Sequence, residues 1–158
     1  MTACCSEFLS NGLRDSGLCS WPLPNRRWRS VLPKRPRVLL AEDNAEMAKA
    51  LGRLLALDCD VVGTVPDGSA AVEAAQRLQP DVIVLDVNLP GVNGLEACRQ
   101  ITRVNPDAKV IVVTAMEDSE IRQRSVELGA SAFVSKMPGK GDADLLSTIA
   151  RLCADRRS

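Results

Sequence analysis

The sequence predicts an α/β fold in which a five-stranded parallel sheet is covered by helices on both faces. From Arg37 onward, short apolar or β-branched runs alternate with longer segments whose apolar residues recur every three or four positions, which is typical of repeated βα units. The short runs are uniformly apolar, and such runs suit strands that are buried on both sides of a sheet.

Five runs have the composition of strands. They are residues 38–41, 60–65, 82–85, 110–113 and 132–134. We predict the flavodoxin-like order 2-1-3-4-5, a doubly wound (βα)5 sandwich in which the strand order reverses between the first and third strands. The functional crevice of such a sheet lies at that reversal, beyond the carboxyl ends of the strands.

Five helical segments follow these strands. Short polar side chains that can accept hydrogen bonds from unpaired backbone donors mark where the helices begin. These residues are Asn44, Asp67, Asn93, Asp118 and Asp142. The positions at helical spacing are Met47, Leu51 and Leu54; Ala71, Ala75 and Leu78; Leu95, Cys98 and Ile101; Ile121, Ser125 and Leu128; and Leu145, Ile149 and Leu152. Gly129 is expected to end the fourth helix.

The chain of 158 residues is long enough for one domain with a tail. Residues 1–36 contain four prolines and show no helical or strand period, so we predict a disordered extension there. The folded domain is predicted at residues 37–155, followed by a short tail at 156–158. Residues 1–36 carry six of the 20 basic residues and two of the 20 acidic ones, so the domain itself is mildly acidic and is not expected to bind nucleic acid directly.

The cysteines and the lack of histidine exclude several kinds of site. The six cysteines show no metal-ligand spacing, and no histidine is present to complete a zinc site or a Cys-His nucleophile pair. Cys59, Cys98 and Cys153 lie among apolar residues, which favours small buried side chains in a reducing compartment over a redox role. No apolar run approaches the ~18 residues of a membrane span, and the N-terminus lacks a signal core. We therefore expect a cytoplasmic protein without a membrane anchor.

Charged and hydroxyl side chains end four of the five predicted strands. Glu42 and Asp43 follow the first strand, Asp86 the third, Thr114 the fourth and Lys136 the fifth. Taken singly, each has an ordinary interpretation as a helix cap, a strand terminus or a solvated charge. Their convergence on one edge of the sheet is what indicates a functional site.

The chemistry of these residues points to phosphoryl transfer. A cluster of three carboxylates requires a cation, and an all-oxygen site suits a small hard ion that retains several waters, namely Mg2+. A carboxylate can accept a phosphoryl group covalently, so Asp86, central and next to the metal, is the expected nucleophile. Lys136 and the loop amides around Asn88 and Ala115 are expected to stabilise the transferred charge, and Thr114 to donate a hydrogen bond to a phosphoryl oxygen.

Four motifs in this order closely resemble the receiver domain of bacterial two-component response regulators. The first two are Val-Leu-Leu-Ala-Glu-Asp-Asn at residues 38–44 and Asp-Val-Ile-Val-Leu-Asp-Val-Asn-Leu-Pro-Gly-Val-Asn-Gly-Leu-Glu at residues 81–96. The others are Val-Ile-Val-Val-Thr-Ala at residues 110–115 and Ala-Phe-Val-Ser-Lys at residues 132–136. The resemblance extends from about Arg37 to Cys153.

The resemblance implies a phosphoacceptor and a metal site. Asp86 would accept the phosphoryl group, and Glu42 and Asp43 would bind Mg2+ together with Asp86 and the backbone carbonyl of Asn88. The donor would be a histidine kinase or a phosphotransfer protein. Such a domain is a signalling switch and not an enzyme, with slow self-dephosphorylation expected, and Asn88 and Met116 would affect the lifetime of the phosphoryl group.

The resemblance also implies how phosphorylation is read. Thr114 and Lys136 would respond to the phosphorylated state, and Phe133 would change position with Thr114. A phenylalanine that only packs within its strand is an equally good interpretation of Phe133. The changed surface would consist of the fourth helix, fifth strand and fifth helix, and it could bind a partner or form a homodimer.

Two features depart from the family pattern. Members often have a cis-proline directly after the lysine, whereas Met137 precedes Pro138 here, and residues 137–141 instead resemble receivers that are joined to helix-turn-helix DNA-binding domains. The sequence also stops soon after the fifth helix. Output would then act through a surface or a partner, or the chain is the receiver part of a longer DNA-binding transcriptional regulator.

Other functions fit the sequence less well. An aspartyl-nucleophile phosphatase of another α/β family would have a second acid two residues after Asp86, where Asn88 stands. A flavodoxin-like cofactor binder would have a phosphate loop rich in glycine, serine or threonine after the first strand, where Glu42 and Asp43 stand instead. An unphosphorylated scaffold is a weaker choice because every expected charged position is filled.

Overall fold

The computed structural model describes residues 34–115, 118–136 and 141–154, the side chains of residues 141–144 excepted. Five strands alternate with five helices. In chain order they are β1 (Arg37–Ala41), α1 (Ala45–Asp58), β2 (Asp60–Val65), α2 (Gly68–Leu78), β3 (Val82–Asp86), α3 (Gly94–Val104), β4 (Lys109–Thr114), α4 (Ser119–Glu127), β5 (Ala132–Ser135) and α5 (Gly141–Ala154). Residues 1–33 and 155–158 lie outside the described residues, so the predicted disordered extension, C-terminal tail and domain limits stay predictions.

The strands form one parallel sheet in the order β2-β1-β3-β4-β5, so the predicted fold class and strand order are confirmed. All five predicted strands are present, and four of them are one or two residues longer than predicted. Asp86 and Thr114 are the last residues of β3 and β4. Their side chains are therefore fixed by the alternation of the sheet and not by the conformation of a loop.

Alternation along the strands builds two apolar cores, one on each face. One core joins β1, β3, β4 and β5 to α1 and α5, and its helical members include Leu55 and Ile149. The other joins the same strands to α2 and α3, with Cys98 and Ile101 among its members. A strand side chain therefore belongs to the α1/α5 face or to the α2/α3 face according to its place in the sequence.

The expectation that all strands are covered on both faces holds only for the three central ones. β1, β3 and β4 are almost wholly buried, whereas β2 and β5 lie at the sheet edges and are largely half-buried or exposed. An edge strand has a neighbour on one side only, so helices cover it less completely. In β2 the register skips from Val61 to Gly63 opposite Val38 and Leu39. This bulge makes the edge a poor template for further strand pairing.

Four of the five predicted helix starts are confirmed. The side chains of Asn44, Asp67, Asn93 and Asp118 accept hydrogen bonds from backbone N–H groups in the first turns of α1 to α4. The fifth is wrong in position, since Asp142 lies inside α5, which begins one residue earlier. The signal was ambiguous because an acidic residue is favoured both before a helix and within its first turn.

The inward face of α1 also differs from the predicted one. Leu51 is buried as expected, but Met47 is 38% exposed, and Leu55 is fully buried in place of Leu54. The first turn of α1 starts at the carboxyl edge of the sheet, where few strand side chains remain to cover Met47. The buried residues of α1 therefore begin at Leu51, one turn later than the apolar residues, which begin at Met47.

The predicted end of α4 at Gly129 is confirmed. Gly129 has φ +97°, a left-handed conformation that glycine adopts without strain. Its N–H donates to the carbonyl of Val126, and the N–H of Ala130 donates to the carbonyl of Ser125, which is the Schellman arrangement. An added Cβ would lie 3.1 Å from the side chain of Thr102 in α3, so this turn also sets the contact between α3 and α4.

Gly94 brings α3 against the end of β3. A Cβ at this position would lie 2.0 Å from the carbonyl oxygen of Asp86. The N–H of Gly94 also donates to the carbonyl of Val87 at 3.0 Å. The close approach that fixes the backbone around Asp86 is therefore possible only without a side chain here.

We expect Gly94→Ala to lower the free energy of unfolding by about 1–3 kcal/mol, because the added methyl group would displace the backbone of β3 or α3. Gly52→Ala is the matched control, since nothing lies within 4 Å of a Cβ added at Gly52 in α1. Alanine in a helix interior should stabilise the protein by about 0.5–1 kcal/mol. Urea unfolding measures the free energy of unfolding of both variants. Equal values for Gly94→Ala and Gly52→Ala would contradict the tight contact at Gly94.

Candidate functional site

Three carboxylates meet at the carboxyl edge of the sheet. Carboxylate oxygens of Glu42, Asp43 and Asp86 lie within 4.8 Å of one another. β1 and β3 are neighbours, and their register pairs Ala41 with Leu85, so Glu42 and Asp86 are carried side by side. Glu42 and Asp86 are each 4% exposed, whereas Asp43 is exposed. The acidic group predicted from the strand ends is therefore present as a cluster.

The ammonium group of Lys136 contacts two of these carboxylates. Its Nζ lies 2.9 Å from Oδ2 of Asp86 and donates a hydrogen bond to Oε2 of Glu42. β4 separates β3 from β5, so those two strands are about 10 Å apart. Only a long side chain can bridge that distance. The backbone N–H of Lys136 donates to the carbonyl of Thr114 at 2.8 Å, which fixes the starting point of this side chain.

Strand alternation divides the predicted site residues between the two faces. Asp86 and Lys136 are in phase with the strand residues of the α1/α5 face. Thr114 and Phe133 are in phase with the strand residues of the opposite face. The charged groups thus gather on one side of the sheet edge, and the two residues expected to change position lie on the other side.

Thr114 and Phe133 lie on adjacent strands, β4 and β5. Thr114 is 1% exposed at the end of β4, and Phe133 is half-buried against the core of its face. Because Thr114 pairs with Ser135, Phe133 is its diagonal neighbour on the same face, at a spacing of about 7–8 Å between Cα atoms. The roles predicted for Thr114 and Phe133 stay predictions.

Asn88 approaches Asp86 through its backbone. The Asn88 N–H donates to Oδ1 of Asp86 at 3.3 Å, and the Asn88 side chain is exposed. Oδ1 and Oδ2 of Asp86 therefore have different partners, which restricts rotation of the carboxylate. The metal-binding role predicted for the Asn88 carbonyl stays a prediction. Met116, Met137 and Pro138 lie outside the described residues.

Burial is the main influence on the protonation of Glu42. Loss of water raises the pKa of this carboxyl above its usual 4.5, and the hydrogen bond and positive charge of Lys136 offset that rise only in part. The charge on Asp86 raises the pKa further. With Asp43 close by, the cluster places three acidic groups against one ammonium and favours an additional cation.

The donor set fits Mg2+. All three side chains offer carboxylate oxygens, which are the ligands that hard divalent cations prefer. A cluster of three acids facing one ammonium leaves a net negative charge that such a cation would offset. Asp43 is exposed and could share its ion with water, as Mg2+ sites commonly do.

Sequence reasoning missed two residues near this site. Gly94 appeared only as part of a motif, although it alone allows α3 to reach the carbonyl of Asp86. Arg122 was not singled out, yet its guanidinium carbon lies 5.2 Å from the centroid of the Phe133 ring. A glycine at a helix start was a signal for the first. The second contact joins a helix to a strand, and no local pattern indicates it.

The sequence matches a known family over most of its length. A model of the response regulator receiver domain matches residues 38–149. The chain belongs to this family. The receiver domain of response regulators is a signalling module, in agreement with the geometry of the acidic edge, and the phosphatase interpretation is not favoured.

Individual proteins agree with this assignment. The receiver is 36% identical over 124 residues to the response regulator GacA of Pseudomonas viridiflava, covering 77% of this chain and 56% of GacA. It is 32% identical over 120 residues to the transcriptional regulatory protein DegU of Brevibacillus brevis, covering 75% of this chain and 50% of DegU. The chain thus spans about half the length of these relatives.

A solved structure shows the same fold. The response regulator domain of Thermotoga maritima CheB superposes with a TM-score of 0.69 at 32% sequence identity, covering 75% of this receiver and 96% of that chain. Within the part of the receiver that the structure describes, no helix has both the length and the apolar character needed to cross a membrane.

The buried cysteines have an ordinary structural role. Cys59 and Cys98 are buried, and burial raises the pKa of both thiols to about 11. They are therefore protonated near neutral pH and poorly reactive. Cys153 is only half-buried, so the prediction of small buried side chains is confirmed for two of these three cysteines.

The raised pKa of Glu42 predicts a pH dependence of the metal-free receiver. The folded state holds the Glu42 proton to higher pH than the unfolded chain does, so this contribution to stability is fully present below about pH 4.5 and is lost as pH rises through the folded pKa. In the presence of a metal chelator, the free energy of unfolding of the native receiver minus that of Glu42→Gln should fall as pH rises from about 4.5 through the folded pKa of Glu42. Urea unfolding at a series of pH values measures it.

Glu46→Gln, which removes an exposed carboxylate from the first turn of α1, is the control for loss of one acidic group. A constant difference between the native receiver and Glu42→Gln across the pH series would show that burial does not govern the protonation of Glu42.

Proposed function

We propose that this receiver accepts a phosphoryl group on Asp86 in a Mg2+-dependent reaction and that the modified form changes its binding to partners. One observation carries the proposal. Asp86 is a buried carboxylate at the carboxyl edge of the sheet, in contact with Lys136 and clustered with Glu42 and Asp43.

The transfer itself requires little rearrangement of covalent bonds. An oxygen of ionised Asp86 attacks the phosphorus of the donor, and a P–O bond forms as the bond between phosphorus and the leaving atom of the donor breaks. The electron pair of that bond departs with the donor. Asp86 is suited to this step because Lys136 and the Asn88 N–H hold its two oxygens in a fixed orientation.

We assign the metal ligands as Glu42, Asp43, Asp86 and the backbone carbonyl of Asn88. A bound Mg2+ would reduce the repulsion between the incoming phosphoryl group and the acidic cluster. Lys136 contributes positive charge beside Asp86, since its Nζ lies 2.9 Å from Oδ2 of that residue. The negative charge that develops during transfer would therefore be offset by the bound Mg2+ and by the Lys136 ammonium.

The proposed donor is a histidine kinase or a phosphotransfer protein in the cytoplasm. Thr114 and Lys136 would bind the new phosphoryl oxygens, and Phe133 would change position together with Thr114. The affected surface consists of α4, β5 and α5, and a homodimer through it is one way to signal. We propose that the receiver acts as a switch, with only slow self-dephosphorylation, and that it has no other enzyme activity and does not bind nucleic acid directly.

A longer DNA-binding transcriptional regulator is the second candidate for the whole protein. The chain covers 56% of GacA and 50% of the transcriptional regulatory protein DegU. The sequence of residues 137–141 also resembles that of receivers joined to helix-turn-helix domains. In that case phosphorylation of Asp86 would control an attached domain through the same surface.

Asp86→Asn should abolish phosphorylation by a small donor such as acetyl phosphate, because the amide is a far poorer nucleophile than the carboxylate. Asp58→Asn is the control, since the exposed Asp58 ends α1 at the amino edge of the sheet, away from the cluster. Intact-protein mass spectrometry after incubation with acetyl phosphate and Mg2+ measures the added mass. Retained labelling of Asp86→Asn would place the acceptor elsewhere.

Mg2+ should stabilise the native receiver by mass action, by about 2.7 kcal/mol at a concentration one hundred times its dissociation constant. Asp43→Asn should be the more stable of the two proteins without Mg2+ and the less stable with Mg2+. Without Mg2+ it should be more stable than the native receiver because repulsion in the cluster falls, and with Mg2+ it should gain much less. Thermal unfolding with and without Mg2+ tests this, and an equal gain in both proteins would remove Asp43 from the ligand set.

A further inference from the structure

The contact between Arg122 and Phe133 joins a helix to the predicted switch residue. The guanidinium carbon of Arg122 lies 5.2 Å from the centroid of the Phe133 ring, within the range of a cation–π interaction. Arg122 is an exposed residue of α4, and Phe133 is half-buried in β5. Phe133 is the only aromatic residue in the part of the chain that the structure describes, so no other described ring can take this partner.

Open space lies next to this ring. A cleft of about 260 Å³ is lined by Asp118, Ser119, Arg122, Phe133 and Ser135. The cleft separates the first turn of α4 from the end of β5. Phe133 borders this open space, and the Arg122 cation is an attraction that favours the present position of the ring.

Apart from the Arg122 contact, the described attachments of α4 lie mainly at its C-terminal end. Ser125 is the only buried residue within Ser119–Glu127, so the helix contributes no large buried apolar side chain. Its C-terminal end is fixed by the Gly129 turn. The hydroxyl oxygen of Thr102 in α3 lies 3.2 Å from the carbonyl oxygen of Leu128 and 3.0 Å from that of Cys98 in its own helix, so its single proton is shared between them. The contact with Phe133 is thus an important link between the N-terminal half of α4 and β5.

Phe133 in turn is positioned to affect Thr114. The two side chains share a face of the sheet as diagonal neighbours, and Thr114 ends the strand next to Asp86. A rotation of the ring away from Arg122 would break the cation–π contact. An interaction that is present in one conformation and absent in the other shifts the equilibrium between them.

We propose that Arg122 is a positioning residue that acts through Phe133 and favours the unphosphorylated conformation of the receiver. The inference rests on the proposed function, because it concerns how readily Asp86 takes up a phosphoryl group. Removing the cation should raise the population of the conformation that phosphorylation favours. We take that conformation to be the one that reacts with the phosphoryl donor, so the labelling rate rises with its population.

The test compares rates of labelling of the full chain by acetyl phosphate and Mg2+. Arg122→Gln should be labelled about two- to fivefold faster than the native receiver, the range expected for one surface cation–π contact. Arg122→Lys retains a cation and should fall between them. Arg124→Gln is the matched control, since Arg124 is an exposed arginine of α4 about 200° further around the helix.

Two further measurements separate positioning from a general effect on α4. In a Phe133→Leu background, Arg122→Gln should no longer change the labelling rate. In NMR spectra of ring-labelled phenylalanine, the Phe133 signals should shift in Arg122→Gln and stay in place in Arg124→Gln. The chain has two phenylalanines, Phe8 and Phe133, and the signals lost in Phe133→Leu identify the second.

The outcomes distinguish this inference from the proposed function. A native receiver that is not labelled would overturn the proposed function itself. A labelled native receiver whose rate in Arg122→Gln is unchanged, slower or equal to that in Arg124→Gln would overturn the role of Arg122 alone. An undiminished effect of Arg122→Gln in the Phe133→Leu background would show that Arg122 does not act through the ring.

Discussion

The ion pairs of Lys136 with Asp86 and Glu42 are the interactions on which the candidate site depends. Two buried carboxylates beside a third exposed one would repel each other and would be costly to remove from water without a counter-charge. Lys136 supplies one positive charge from a strand two positions away in the sheet. One ammonium does not balance three acids, and the remaining negative charge is one that a divalent cation would offset.

The sheet determines where these charges meet. Glu42 and Asp86 are neighbours because β1 and β3 pair in register, and Lys136 reaches them over the end of β4. Gly94 allows α3 to pack against the Asp86 carbonyl, which keeps the end of β3 in place. A change in register by one residue would move these side chains to the opposite face. The chemistry of the site is therefore a consequence of strand pairing.

The same alternation separates the charged groups from the residues proposed to report on them. Asp86 and Lys136 lie on the side of α1 and α5, whereas Thr114 and Phe133 lie on the side that carries Arg122. The end of β4 lies between the ends of β3 and β5. In the proposed switch, a change at the acidic edge would reach α4 through Thr114 and Phe133. Within Ser119–Glu127 only Ser125 is buried, and a helix that buries little apolar surface is held by few packing contacts.

The sequence by itself determined the strands, four helix starts, the end of α4 and the set of charged residues at the strand ends, because these features depend on residues close together in the chain. It did not determine that β2 and β5 are poorly covered or that Met47 is exposed, since both follow from positions at the margins of the sheet. Only the tertiary structure decided that Lys136 bonds to Glu42, 94 residues away, and that Arg122 covers the Phe133 ring. Such contacts arise from the packing of separate elements, and local patterns carry no information about them.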